Sequence, residues 1–128
     1  MTETMTETTT RERVHALNEM IQQGKIMEAM REFYADDVIM SENDGEPTVG
    51  LAPNLAREQA FVDNTEWFGL ELKDVIVDGD TAAVRWWMDF HNQQYGQRLA
   101  FTQVAYQRWS GGKIVEERFY YTPVPVQS

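Results

Sequence analysis

The 128-residue chain contains no cysteine, which excludes disulfide bonds, zinc–thiolate centres and cysteine nucleophiles. Basic residues are also scarce, since 11 Lys and Arg stand against 21 Asp and Glu for a net charge of −10. Such a chain repels phosphate backbones and anionic lipid surfaces, so we expect no nucleic-acid partner and no membrane partner. No apolar run approaches the roughly 20 residues of a membrane helix, and the N-terminus lacks the apolar core of a secretory signal. We therefore expect a cytoplasmic protein.

The composition is that of one globular domain. Hydrophobic residues make up 42% of the chain and aromatic residues 12%, which is enough for a core at this length. The opening MTETMTETTT is a Thr/Glu low-complexity segment, which predicts a flexible tail over residues 1–10. A single domain is then expected over residues 11–128.

The spacing of apolar residues predicts helices first and strands later. Three helices are expected in the first half, because apolar residues recur there every three or four positions. The first ends at Gly24, the second begins at Ile26, and the third runs from Pro53 to about Asn64. The expected strands are residues 38–41, 67–77, 81–92, 98–109 and 113–123, the long ones separated by Gly-containing turns. The order predicts an α+β fold with the three N-terminal helices packed in the concave face of a curved, mainly antiparallel sheet.

Alternation along the long strands assigns their faces. In the second long strand one phase is wholly apolar and should face the helices, and the next two strands continue that face. The expected inward residues are Val84, Trp86, Met88, Phe90, Phe101, Gln103, Ala105, Val115, Glu117, Phe119 and Tyr121. A bulge would reverse the phase of the last strand.

Two carboxylates fall where a strand would carry them toward the interior. Glu42 follows Val38 and Met40 in the same phase of the first short strand. Glu116 and Glu117 are adjacent, so an unbulged strand turns one of them toward the helices. A carboxylate in an apolar interior is costly unless it is paired, neutralised or reached by water. A cavity at this place resolves that cost and makes Glu117 a catalytic candidate, the alternative being a carboxylate satisfied by a core partner or water, or turned outward by a bulge. The phase of Glu42 is consistent with a pocket edge, the alternative being a solvated acid at the start of the SEND loop.

Several segments in this order resemble the nuclear transport factor two-like (NTF2-like) superfamily, which includes SnoaL-like polyketide cyclases and ketosteroid isomerases. They are EFYADDVIM, GEPTVG, VDGDTAAVRW and RWSGGKIVEERFY, and the resemblance covers about residues 10–123. It implies a cone-shaped fold in which a curved sheet leaves an apolar pocket open at one end. It also implies a homodimer formed through the outer face of the sheet.

The resemblance bears directly on the chemistry. Counted from the YADD segment, Glu42 stands where the isomerases keep a carboxylate base, so the resemblance implies that Glu42 is a catalytic candidate as well. The same comparison places Leu17 and Ala105 where those enzymes carry their two oxyanion donors. Steroid isomerisation by that mechanism is therefore not expected, because each donor typically contributes a few kcal/mol.

An aromatic-rich set is expected to line the pocket and bind an apolar small molecule. Gln103 and the Tyr121 hydroxyl are candidate donors to a ligand carbonyl. The full set of expected binding residues is Trp67, Trp86, Met88, Phe90, Phe101, Gln103, Phe119 and Tyr121. For any single apolar member, an ordinary place in the core is the alternative.

No pattern points to a cofactor or a metal. Glycine-rich nucleotide loops and the GxSxG nucleophile motif are absent, and the two histidines have no ligand spacing. On the outer sheet face, Trp87, Tyr106 and Tyr120 are expected to form the homodimer interface. Two functions stay open: a cofactor-independent isomerase, cyclase or dehydratase that uses carboxylates, and a non-catalytic binding or scaffold module.

Overall fold

The computed structural model describes residues 5–126. Eight of its nine elements follow the predicted order, and the ninth, the two-residue strand Thr48–Val49, lies in a segment predicted as a loop. The nine elements are α1 (Met5–Gln22), α2 (Ile26–Phe33), β1 (Tyr34–Glu42), β2 (Thr48–Val49), α3 (Leu51–Asp63), β3 (Thr65–Asp78), β4 (Thr81–Asn92), β5 (Gln97–Ser110) and β6 (Lys113–Tyr120). The α+β class is confirmed. Among these residues no helix combines the length and hydropathy needed to cross a bilayer.

One curved, mostly antiparallel sheet contains all six strands, in the order β2-β1-β6-β5-β4-β3. β3 to β6 form an antiparallel meander. β1 instead pairs parallel with β6, the last strand of the chain, and the two-residue β2 pairs with its other edge. The first strand is therefore joined to the last, and the residues of both contribute to one surface.

The main core joins the helices to one face of the sheet. Its buried members include Leu17 of α1, Phe33 of α2, Val38 of β1 and Trp86 of β4, with Leu55 of α3 packed against them. This is the face that the alternation in β4 predicted. Burying side chains of this size stabilises the fold by about 1.5–3 kcal/mol each.

The prediction of a flexible tail over residues 1–10 is wrong for residues 5–10, because these residues form the first turns of α1. Thr10 is buried, with 4% of its surface exposed. The Glu7 carboxylate accepts a hydrogen bond from the Gly79 backbone N–H at 2.9 Å, in the β3–β4 turn. These tertiary contacts hold a segment whose composition alone predicts fraying. Residues 1–4 lie outside the described range.

The phase of β6 is only partly as predicted, because a bulge falls at Val115. Arg108 of β5 pairs with Glu116, whereas the next residue, Trp109, pairs with Ile114. Ile114 is therefore the buried residue at the start of β6, and Val115 is only partly buried. Beyond the bulge the predicted phase holds, so Glu117 faces the interior.

Candidate functional site

A cavity of about 630 Å³ opens between the helices and the sheet. Residues from all three helices, from β1 and from β3–β6 line it. All ten residues predicted as catalytic or ligand-binding lie on its wall: Glu42, Glu117, Trp67, Trp86, Met88, Phe90, Phe101, Gln103, Phe119 and Tyr121. The size falls within the range of small-molecule sites.

Glu117 is buried in the cavity wall and fixed by two neutral donors. The Tyr34 hydroxyl donates a hydrogen bond to Glu117 Oε1, and Gln107 Nε2 donates to Glu117 Oε2 at 2.8 Å. The indole Nε1 of Trp109 in turn donates to Gln107 Oε1 at 3.1 Å. Since this bond occupies the amide oxygen, Gln107 presents its N–H to the carboxylate.

The surroundings of Glu117 oppose its ionisation. Burial raises the pKa of its carboxyl group to about 7, and the nearby Glu58 carboxylate adds to the effect, while the hydrogen bonds from Tyr34 and Gln107 act in the opposite direction. Burial, followed by the interaction with Glu117, also raises the pKa of Tyr34 well above 10. Near neutral pH, Tyr34 is therefore a donor and Glu117 is partly protonated.

Glu58 on α3 completes the site, and it is not among the residues predicted from the sequence. Burial raises the pKa of its carboxyl group to about 7, with a further rise from Glu42 and an opposing effect of Arg57. Within residues 5–126 no hydrogen bond fixes this carboxylate. Helical spacing contained the signal, because Leu51, Leu55 and Glu58 fall at i, i+4 and i+7 on one face.

Glu42 lies at the mouth of the cavity, at the last position of β1. Its side chain is 45% exposed and its Oε2 lies 3.5 Å from Arg57 Nη2. The following turn holds the strand end in place, because Asn43 donates its N–H to the Phe119 carbonyl at 2.7 Å. Asn43 Oδ1 also accepts the Tyr121 N–H at 2.9 Å. Glu42 is thus placed beside β6 rather than in a freely solvated loop.

Tyr121 supplies a hydroxyl that stays protonated. Burial raises its pKa to about 12, and the nearby Glu42 carboxylate and Tyr95 add to the rise. Gln103 lies on the same cavity wall. Both side chains carry hydrogen-bond donors on the cavity wall, and the Tyr121 hydroxyl also interacts with Glu42. Their role as donors to a ligand carbonyl stays a prediction.

Aromatic rings form a connected chain along the cavity. The Phe90 ring lies 5.3 Å from Phe61, 5.3 Å from Trp67 and 5.7 Å from Phe101, measured between centroids. Phe101 stacks on Tyr121 at 5.1 Å with an interplanar angle of 18°. All five rings line the cavity, so one end of it offers an aromatic wall.

The two positions that carry oxyanion donors in the isomerases are filled by apolar side chains. Leu17 is 1% exposed and Ala105 is 3% exposed, and only Ala105 borders the cavity. In the described part of the chain, no three His, Asp or Glu side chains lie together as a metal site would need.

The described face opposite the cavity contains the aromatic residues predicted for a dimer interface. Trp87 is partly buried because its ring covers Gly69. A Cβ atom added to Gly69 would lie 2.7 Å from the ring. Tyr106 is 40% exposed, and the Tyr120 hydroxyl donates to Asp44 Oδ1 at 2.8 Å. The homodimer stays a prediction.

The fold and the cavity together define a class of protein. The sequence profile of the SnoaL-like domain matches residues 14–117. The chain therefore belongs to the SnoaL-like family, within the NTF2-like superfamily. No curated protein sequence matches the chain significantly.

Solved structures with the same fold carry several functional names. A candidate SnoaL-like polyketide cyclase from Mesorhizobium loti is 28% identical, with a TM-score of 0.80 over 87% of this chain and 97% of that one. A second candidate from Jannaschia is 16% identical, with a TM-score of 0.78 over 94% and 90%. An LEH-like epoxide hydrolase of Mycobacterium tuberculosis is 13% identical, with a TM-score of 0.73 over 91% and 84%. The latter two similarities establish the fold alone.

Proposed function

We propose that the chain is a small, cofactor-independent enzyme that binds an apolar molecule in a cone-shaped cavity and transfers a proton on it. One observation carries this proposal: two carboxyl groups, Glu58 and Glu117, share the cavity and each has its pKa raised to about 7. Near neutral pH such a pair holds protonated and ionised members at once. It therefore supplies a general acid and a general base without a cofactor.

The two carboxyl groups differ in how they are held. Glu58 has no hydrogen-bond partner within residues 5–126, so it is the group that can turn toward the ligand as the base. Glu117 is held by Tyr34 and Gln107, so it acts from a fixed position as the acid. Gln103 and Tyr121 donate to a carbonyl or hydroxyl oxygen of the ligand. This arrangement supports an isomerase, cyclase or dehydratase. Glu42, paired with Arg57, sets the charge at the mouth of the cavity.

A substrate with an activated C–H bond tests directly whether Glu58 acts as a general base. We expect the cavity to accelerate the ring opening of 5-nitrobenzisoxazole, an apolar aromatic probe that needs only proton abstraction. The rate should rise with pH around an apparent pKa of about 7, measured by absorbance of the phenolate product. Glu58→Gln should lose the acceleration by about 10²-fold or more, in line with general-base catalysis.

The matched control is Glu66→Gln, which removes an exposed carboxylate outside the cavity and should leave the rate unchanged. A rate that equals the acetate-catalysed reaction at the same carboxylate concentration contradicts the proposal. So does a rate in Glu58→Gln equal to that of the unsubstituted chain.

A non-catalytic ligand-binding module is the second candidate. The apolar side chains of Leu17 and Ala105 favour it, because they leave a developing oxyanion without the donors that the isomerases use. Native mass spectrometry of the purified protein separates the two. A retained molecule that is released unchanged on incubation supports a binder, whereas a turnover product supports the enzyme.

A further inference from the structure

The charges on the cavity wall are unbalanced. Three elements each contribute one carboxylate: Glu42 from β1, Glu58 from α3 and Glu117 from β6. Arg57 is the one basic side chain among the described residues that line the cavity. It is committed at the mouth, with Nη2 at 3.5 Å from Glu42 and Nη1 donating to Thr48 Oγ1 at 2.7 Å.

Neither Glu58 nor Glu117 forms an ion pair within residues 5–126, although Arg57 acts on Glu58 electrostatically from the neighbouring position. Glu117 is contacted by the neutral donors Tyr34 and Gln107, and Glu58 by no donor at all. A ligand that carries a carboxylate or phosphate would meet like charges in a space of low polarisability, which costs several kcal/mol. A ligand with one positive charge would instead supply the missing partner.

The aromatic chain begins beside the free carboxylate. Glu58 and Phe61 are three residues apart in α3, so their side chains lie on the same side of the helix. Phe61 contacts Phe90 and Trp67 edge to face, with centroids 5.3 and 6.1 Å apart. Aromatic faces attract organic ammonium groups, and apolar bodies pack against the same rings. One end of the cavity thus combines a negative charge with an aromatic wall.

We propose that the cavity selects an apolar organic cation, with the ammonium nitrogen at Glu58 and its apolar body against Phe61, Trp67 and Phe90. This inference rests on the proposed function for the site it describes, and it names the class of substrate: an amine that is protonated at neutral pH. It excludes free acids and phosphate esters.

The proposal makes binding depend on pH. Glu58 and Glu117 are the groups that titrate near neutrality, whereas Tyr34, Tyr95 and Tyr121 keep their protons because each has a raised pKa. A bound cation stabilises the ionised carboxylates, so binding releases protons. Affinity for a permanent cation therefore rises from pH 6 to pH 8.

Three probes of similar shape test the charge selection: benzyltrimethylammonium, its neutral carbon isostere neopentylbenzene, and phenylacetate. NMR titration of the full chain at pH 8 should show the ammonium binding at least about tenfold more tightly than the isostere, and phenylacetate most weakly. The preference should fall several-fold at pH 6 and in Glu58→Gln, and persist in the exposed-site control Glu66→Gln. Calorimetry in two buffers of different ionisation enthalpy should detect the released protons.

Equal affinity for ammonium and isostere, tighter binding of phenylacetate, a preference that survives Glu58→Gln, or no binding of any probe would overturn the proposal. The ring-opening assay separates it from the proposed function. If the ammonium probe binds but no proton is abstracted, the proposed enzymatic function is refuted and the proposed cation selectivity stands. If a proton is abstracted but the ammonium probe is not preferred, only the cation selectivity is refuted.

Discussion

Burying the carboxyl group of Glu117 makes the folded protein hold a proton that the unfolded chain releases. Its pKa rises from an ordinary 4.5 to about 7 on folding. A carboxyl group whose pKa is raised on folding makes its full contribution to the free energy of unfolding below pH 4.5. That contribution is lost as the pH rises to about 7, and above pH 7 the cost of ionising the buried group is constant.

Glu117→Gln should remove this pH dependence, because the amide cannot ionise. Its oxygen accepts from Gln107 Nε2, and its NH2 donates to the Tyr34 hydroxyl oxygen in place of the bond that Tyr34 donates to the carboxylate. We expect the fall in unfolding free energy between pH 4.5 and pH 8 to shrink by roughly 3 kcal/mol, since one pKa unit corresponds to 1.36 kcal/mol. Urea denaturation at pH 4.5, 6 and 8 measures it. The exposed substitution Glu66→Gln serves as the control, and parallel pH curves for Glu117→Gln and the unsubstituted chain would contradict the expectation.

Trp109 influences the Glu117 carboxylate indirectly, because it donates a hydrogen bond to the Gln107 amide, which in turn donates to Glu117. In Trp109→Phe the amide is free to rotate and its donation to Glu117 weakens, so the pKa of Glu117 should rise further above its ordinary value. The ¹³C carboxyl shift of Glu117, followed against pH in a Glu58→Gln background, reports it without a substrate.

Trp109 also packs edge to face on Phe33, with centroids 6.4 Å apart. Phe33→Leu is therefore the matched control, because it loosens this packing and leaves the indole hydrogen bond in place. It should lower stability and leave the Glu117 titration unmoved. An identical titration in Trp109→Phe and Phe33→Leu would limit Trp109 to a packing role.

At the scale of elements, one glycine lies at an irregularity in the pairing of β3 with β4. The register shifts between Trp67 and Gly69, and the Trp87 ring of β4 lies over Gly69. Gly69→Ala should displace that ring and lower the free energy of unfolding by about 1 kcal/mol, the lower end of the range for overpacking.

A double-mutant cycle with Trp87→Leu checks this contact, since the smaller side chain leaves room for a methyl group at position 69. Thermal denaturation of the four proteins should show the cost of Gly69→Ala vanishing in the Trp87→Leu background. An undiminished cost there would assign the effect to the backbone of β3 instead.

The elements differ in how well the sequence predicts them, for identifiable reasons. β4 (Thr81–Asn92) has the predicted bounds, because a turn flanks each end and alternation runs unbroken. The bulge at Val115 had no sequence signal that fixes its position, so the phase at the start of β6 was predicted wrongly. Glu58 was overlooked because a charged residue on a helix ordinarily faces solvent, and only its apolar neighbours at helical spacing indicate otherwise.

At the scale of the whole molecule, the outer sheet face leads us to predict a homodimer. Tyr106 lies 40% exposed on that face, so Tyr106→Glu should place a charge in the interface and weaken association by about tenfold or more. Sedimentation equilibrium at micromolar concentration measures it. Gln22→Glu makes the same charge change at an exposed position of α1 and should leave association unchanged, while a monomeric unsubstituted chain would contradict the prediction.

The parallel pairing of β1 with β6 also has a consequence for the order of folding. Tyr34 and Glu117 are 83 positions apart, whereas the β3–β6 meander forms from neighbouring hairpins. Contacts of such long sequence separation generally form late, because a large loop must close first. We therefore expect the meander to assemble first and β1 to dock on it afterwards. The Tyr34–Glu117 pair can form only once β6 has been synthesised, so this part of the cavity wall is completed last.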